Sequence, residues 1–196
     1  MNPIIKKLPK MNKYMEYIAQ VKNSDFPIVL SGLTDTQKIH MAYSTLFYTD
    51  MPICIIANNE LVAHKYMEDL KSMQIEDAYF LPKREVLAYD YEMESRENSI
   101  ERVVVFSKLL QGKVKVLITT IESISQPIIQ KDIILNNILS IKINDIVDVS
   151  KLSDILINCG YEKTSMVEVK GQFSVRGSII DIYPANLEYA VRIDLW

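Results

Sequence analysis

Residues Ser31–His40, SGLTDTQKIH, carry most of the spacing of a phosphate-binding loop. Such a loop reads G-x-x-x-x-G-K-[ST]. Its glycines let backbone N–H groups wrap the phosphates, its lysine neutralises them, and its hydroxyl holds Mg²⁺. Gly32 stands in the first glycine position and Lys38 in the lysine position. Gln37 replaces the second glycine and brings a long side chain to the place of the phosphate. Ile39 replaces the hydroxyl and cannot ligate a metal. No acid ends a following apolar run, as the second magnesium ligand requires: PICIIA runs into Asn58, and KVLIT closes on Thr119. Three readings fit these residues. They form a nucleotide site that works through Lys38, a degenerate P-loop, or a strand-to-helix turn that matches by chance.

A second constellation lies at the end of the chain. In YAVRIDLW, Arg192, Asp194 and Trp196 alternate with Val191, Ile193 and Leu195. Period two places the first three on one sheet face and the apolar three on the other. An arginine, a carboxylate and a large aromatic on an open face suit a protein-binding hot spot, although an ordinary solvated face with one amphipathic Trp has the same pattern. Asp194, two residues from Arg192, is placed to hold its guanidinium. Arg176 precedes Gly177, which marks a bulge or tight bend able to re-aim it. Phe173 reads as core. Asp181, inside the apolar run IIDIY, reads as a hydrogen-bond acceptor near a turn and not as a catalytic acid.

The elements that must position these residues follow from apolar patterning. Helices are expected over Asn12–Lys22, Asp35–Tyr48, from a cap at Asn58 or Asn59 to about Met73, and from about Ser95 to Leu110. Between them, PIVL (27–30), PICIIA (52–57), AYFL (78–81) and KVKVLIT (113–119) are continuous apolar runs, the signature of strands buried on both faces. The fold class is therefore α/β, a parallel sheet with helices on both faces. After Gln126-Pro127 the pattern changes. SIKIND (140–145) alternates, Val149–Asn158 is helical with Gly160 to end it, and three strand-like runs follow, separated by Gly171, Gly177 and Pro184-Ala185-Asn186. That is a smaller α+β domain with an antiparallel sheet. Domains are expected at 1–125 and 126–196, and the last run, cut inside a strand, reads as a truncated piece of a longer polypeptide.

Composition narrows the classes of function. The 196 residues are 48% hydrophobic and 24% charged, with a net charge of −3. Residues 126–196 hold seven Lys/Arg against nine Asp/Glu, and the remainder holds fifteen against sixteen, so neither half is a basic nucleic-acid-binding module. No apolar run approaches the roughly 18 residues of a membrane span, and no secretory signal opens the chain. Cys54 and Cys159 are too few for a disulfide framework or a zinc site. His40 and His64 lie on different expected helices with no ligand-spaced partner. No metal and no cofactor is expected, and a cytoplasmic location is the default.

Three stretches carry a resemblance. FLPKREVLAYD (80–90) resembles the loop after the third strand in bacterial transcription-repair coupling factors and in the excision-repair subunit UvrB. KVKVLITTIESISQPI resembles the strand and short helix that follow. GQFSVRGSIIDIYPANLEYAVRIDLW (171–196) is similar to the family signature F-x-x-R-G-x-x-[LI]-[DE]-[IL]-[FY]-P and its arginine-acid-aromatic strand. The match runs in consistent order from about Ser31 to Trp196. The broken P-loop and the short spacer Tyr91–Glu94, too short for UvrB's DNA-separating hairpin, favour the coupling factors over UvrB.

The resemblance implies an N-terminal UvrB-like module that is not an enzyme, with a degenerate P-loop at Gly32, Gln37, Lys38 and Ile39. Its second domain is implied to recruit UvrA through Arg176 and Arg192, with Asp194 and Trp196 beside them. Trp196 stands where the family commonly has Phe. The remainder of the full-length protein is implied to mask that surface, and to supply the ATP-driven motor and the contacts with RNA polymerase and DNA. The rival readings are a nucleotide-binding ATPase domain and a DNA-binding fragment of a UvrB-like repair protein.

Overall fold

The computed structural model describes residues 7–84, 92–128, 130–136 and 138–196. Residues 85–90 of the FLPKREVLAYD stretch lie outside them. Contacts divide the chain into two compact units: 1–83 with 111–126, and 84–110 with 127–196. The expected α/β fold with a second, smaller sheet is what the structure contains.

In the first unit a short 3₁₀ turn, Leu8–Lys10, leads to α1 (Asn12–Asn23) and α2 (Asp35–Thr49). Strand β1 (Ile53–Ala57), helix α3 (Glu60–Ser72), strand β2 (Ala78–Leu81) and strand β3 (Val116–Thr120) follow, and α5 (Ile121–Ile124) closes the unit. The sheet is parallel, in the order β1-β3-β2. Val116 and Ile118 of the central strand are fully buried against Ala63, Tyr66 and Leu70 of α3 and Ile39 of α2. Asn59 caps α3 by accepting the Val62 N–H at 2.9 Å, which sets where β1 gives way to helix.

The expected strand PIVL does not form. Residues 25–30 have no ladder partner, and Val29 is 86% exposed. Pro27 has no N–H to give to a ladder. The backbone leaves α1 through a left-handed turn at Ser24, with the Asp25 N–H on Gln20 O and the Phe26 N–H on Ser24 O. The parallel sheet therefore has three strands, and β1 is an edge strand with Cys54 and Ile56 facing out.

The second unit contains α4 (Glu92–Leu110), α6 (Lys131–Asn136), α7 (Val149–Asn158), and strands β4 (Glu162–Lys163), β5 (Gln172–Arg176), β6 (Ile179–Ile182) and β7 (Val191–Asp194). The strand order is β4-β5-β6-β7. The last three strands are antiparallel, as expected, while β4 joins β5 in parallel and makes the sheet mixed. Asp148 caps α7 through the Ser150 and Lys151 N–H groups, and Gly160 (φ +85°) follows its end. Leu152 and Leu156 of α7 bury Phe173, Ile180 and Ile182, so one face of the sheet is core. SIKIND is not a strand. The Lys142 N–H donates to the Asp145 carboxylate at 2.7 Å and the Asp145 N–H returns to Lys142 O, with Asn144 at φ +74°. Asn-Asp turn chemistry overrides the apolar alternation there, and Ile143 is left exposed.

Candidate functional site

The P-loop-like residues sit at the start of α2. Thr34 caps the helix in a capping box: its hydroxyl accepts the Gln37 N–H at 3.4 Å, and the Gln37 amide oxygen accepts the Thr34 N–H at 2.9 Å. The Lys38 N–H is taken by Thr34 O. The Thr34, Gln37 and Lys38 amides are thus satisfied within the chain. Asp35, in the first turn, receives the Lys38 ammonium at 3.0 Å and the Tyr66 hydroxyl at 3.3 Å. The bond from Lys38 holds the Asp35 carboxyl below its ordinary range, so it is a full negative charge at neutral pH. A carboxylate there favours the helix N-terminus and repels a phosphate. Ile39 is 1% exposed and belongs to the core cluster, at the floor of the cleft that Lys38 also lines. A cleft of about 190 Å³ remains beside Lys38, Asn58 and Tyr66. No acid ends β1 or β3; Thr120, at the end of β3, is occupied in capping α5.

The second constellation assembles on the face of the β5-β6-β7 sheet opposite α7. The hairpin pairing sets Ser174 against Asp181 and Arg176 against Ile179, and the next pairing sets Asp181 against Arg192 and Ile179 against Asp194. Cross-strand partners share a face, so these six side chains share one. Gly177, at φ +61° in the two-residue turn, gives the tight bend that aligns β5 with β6.

Asp181 is the centre of the face. Arg192 approaches it from β7 with two bonds, Nε to Oδ1 at 2.6 Å and Nη2 to Oδ2 at 3.0 Å. Arg176 approaches from β5, with Nη2 to Oδ2 at 2.5 Å. The carboxylate is 12% exposed, whereas the two arginine side chains are 56% and 60% exposed. These bonds, led by those from Arg192, hold the Asp181 carboxyl below its ordinary value of 3.8. The same contact pushes the Arg192 guanidinium up.

The expected alternation along β7 is present: Arg192, Asp194 and Trp196 are exposed, and Val191, Ile193 and Leu195 are half-buried. The partner of Arg192 differs from expectation. Asp181 on the neighbouring strand takes it, and Asp194 lies open opposite Ile179. Asp181 is the hydrogen-bond acceptor the sequence suggested, but its place between the two arginines was not anticipated, and a signal for it existed. Pairing FSVR with IIDI through a two-residue turn puts Asp181 on the same face as Arg176. Ser174 lies beside it, 1% exposed, its hydroxyl without a partner among the described residues.

Residues 139–196, which contain this entire face, match the family model of the UvrB interaction domain. Over 86% of its length the chain is 29% identical to the transcription-repair-coupling factor of Bacillus subtilis (strain 168), and over 98% it is 26% identical to that of Staphylococcus aureus (strain MRSA252). The chain is a relative of the transcription-repair-coupling factors. The resemblance expected from the FSVRGSIIDIYP signature is thus borne out. It spans between 14% and 16% of the length of these relatives. No helix among the described residues is long and apolar enough to cross a membrane.

Proposed function

We propose that the arginine-bearing face of β5-β6-β7 docks UvrA. A longer polypeptide carrying this module would thereby deliver UvrA to stalled RNA polymerase in nucleotide excision repair, in the cytoplasm. The reading rests on one observation: two arginines, each more than half exposed, flank Asp181 on the face of β5-β6-β7 opposite the α7 core. Arg176 and Arg192 are the anchoring contacts, with Asp194 and Trp196 flanking them. The module spans two domains, 1–125 and 126–196, of which the second carries the docking face. The first domain is a non-catalytic scaffold: the Thr34, Gln37 and Lys38 amides are bonded within the chain, the Lys38 ammonium is paired with Asp35, and Ile39 fills the metal-ligand position. The remainder of the longer polypeptide masks the docking face and holds the motor and the contacts with RNA polymerase and DNA.

The test is capture of purified UvrA by the chain, with and without ATP bound to UvrA. Arg176→Ala and Arg192→Ala should each weaken capture about tenfold, the scale of a lost interface anchor. Their melting temperatures should stay near the parent's, since substitutions at exposed positions are usually small in effect. Capture of both variants at the parent's affinity would remove these arginines from the site.

A further inference from the structure

We infer that Asp181 is a positioning residue, which holds Arg176 and Arg192 as one fixed array of donors without itself contacting a partner. The inference rests on the docking reading above and adds a role to a residue outside it. Three features of the geometry carry it. The carboxylate sits low, 12% exposed, while both guanidinium groups rise past it. It accepts three hydrogen bonds, from strands on either side of its own. The Arg192 contact is a two-point fork, which fixes the plane of the guanidinium as well as its place.

A free arginine loses much rotamer freedom on entering an interface, and that loss subtracts from affinity. Here the ordering is done in the unbound protein. Three hydrogen bonds to one carboxylate set the positions of the two groups relative to each other, and the side chains that carry their remaining N–H donors are more than half exposed. Asp194 cannot serve in its place, because it pairs across from Ile179 and leaves Arg192 to Asp181.

The test has one arm that needs no partner. In the free chain, the Nε–H of Arg192, assigned through its loss in Arg192→Lys, should give a slowly exchanging NMR signal. Asp181→Asn should speed that exchange while the backbone amide spectrum stays folded. A fast-exchanging Nε–H in the parent overturns the inference regardless of what the chain binds.

In the second arm UvrA binding is measured for the parent, Asp181→Asn, Arg192→Ala and the double variant. Asp181→Asn should weaken binding about tenfold, the scale of the ordering cost it restores, and the double variant should be no weaker than Arg192→Ala alone. Parent-like binding by Asp181→Asn, or losses that add, would assign Asp181 no positioning role. If Asp181→Asn does not fold, Arg192→Lys decides. It keeps the charge at an exposed position but cannot make the fork, so it should lose binding to a similar degree, and full binding overturns the inference. A parent that does not bind UvrA yet shows the protected Nε–H sinks the docking reading and leaves the clamp standing.

Discussion

Replacing Ile39 by threonine would give α2 the hydroxyl that a phosphate-binding loop uses for magnesium. The structure says that this repairs nothing and costs stability. Ile39 is 1% exposed and packs among Ala57, Ala63, Tyr66 and Leu70. Removing one carbon from such a side chain costs about 1 kcal/mol, the range of Ile→Val in a core. Exchanging a second for a hydroxyl costs about 1–3 kcal/mol when the group is buried unpaired. A helical threonine can donate to the carbonyl four residues earlier, here that of Asp35, which pulls the second figure to its lower end. The sum is about 2–3 kcal/mol. With a urea slope of roughly 1–3 kcal/mol per molar, the unfolding midpoint followed by far-ultraviolet circular dichroism should fall by about 0.7–3 M. Ile39→Val, the control, should cost about 1 kcal/mol. Lys38 stays bound to Asp35 and the Thr34–Gln37 capping box stays closed, so Ile39→Thr should not bind Mg-ATP. An unchanged midpoint, or saturable ATP binding by the variant, would show that Ile39 does not occupy the core position described.

Calorimetry with millimolar Mg-ATP should show no saturable heat for the parent or for Lys38→Ala, because Lys38 is already bound to Asp35 and the loop amides are capped. Binding that Lys38→Ala abolishes would restore the nucleotide-site reading. Ser174→Ala removes a buried hydroxyl that has no partner among the described residues, and should leave stability unchanged or raise it by up to about 1 kcal/mol. A loss beyond that in urea unfolding would mean that the hydroxyl is bonded in solution. The Asp181 carboxyl is depressed in the folded chain by the bonds from Arg192 and Arg176. Its stabilisation is therefore present above the ordinary carboxylate value and is lost as pH falls below that value, through the folded one. Thermal melts at pH 7 and pH 3 should differ less for Asp181→Asn than for the parent; equal differences would deny the carboxylate its part in acid sensitivity.

Most elements were legible because their signals are local. Thr34, Asn59 and Asp148 announce the starts of α2, α3 and α7, and Gly177 announces the hairpin. The capping box was legible too, since Thr34 and Gln37 have its spacing, but the P-loop pattern drew the same residues into a different comparison. PIVL and SIKIND failed for a shared reason. A strand is defined by what it pairs with, and apolarity alone does not supply a partner. Pro27 and the Asn144-Asp145 turn decided those segments against pairing. The arginine-bearing face was half legible. Alternation along β7 depends on one strand only, so Arg192, Asp194 and Trp196 could be placed together. The identity of the carboxylate that holds Arg192 depends on how three strands align, and that non-local fact selected Asp181 over the acid nearer in sequence.

That alignment has a consequence for folding fidelity. Because side chains alternate with period two, sliding β6 by one residue would turn Asp181 onto the face buried by α7 and strip both arginines of their counter-charge. Only a single alignment of the three strands lets one carboxylate meet two guanidinium groups from opposite sides. The ion triad thus adds a second check on hairpin register to the one set by burial of the apolar face that carries Phe173, Ile180 and Ile182.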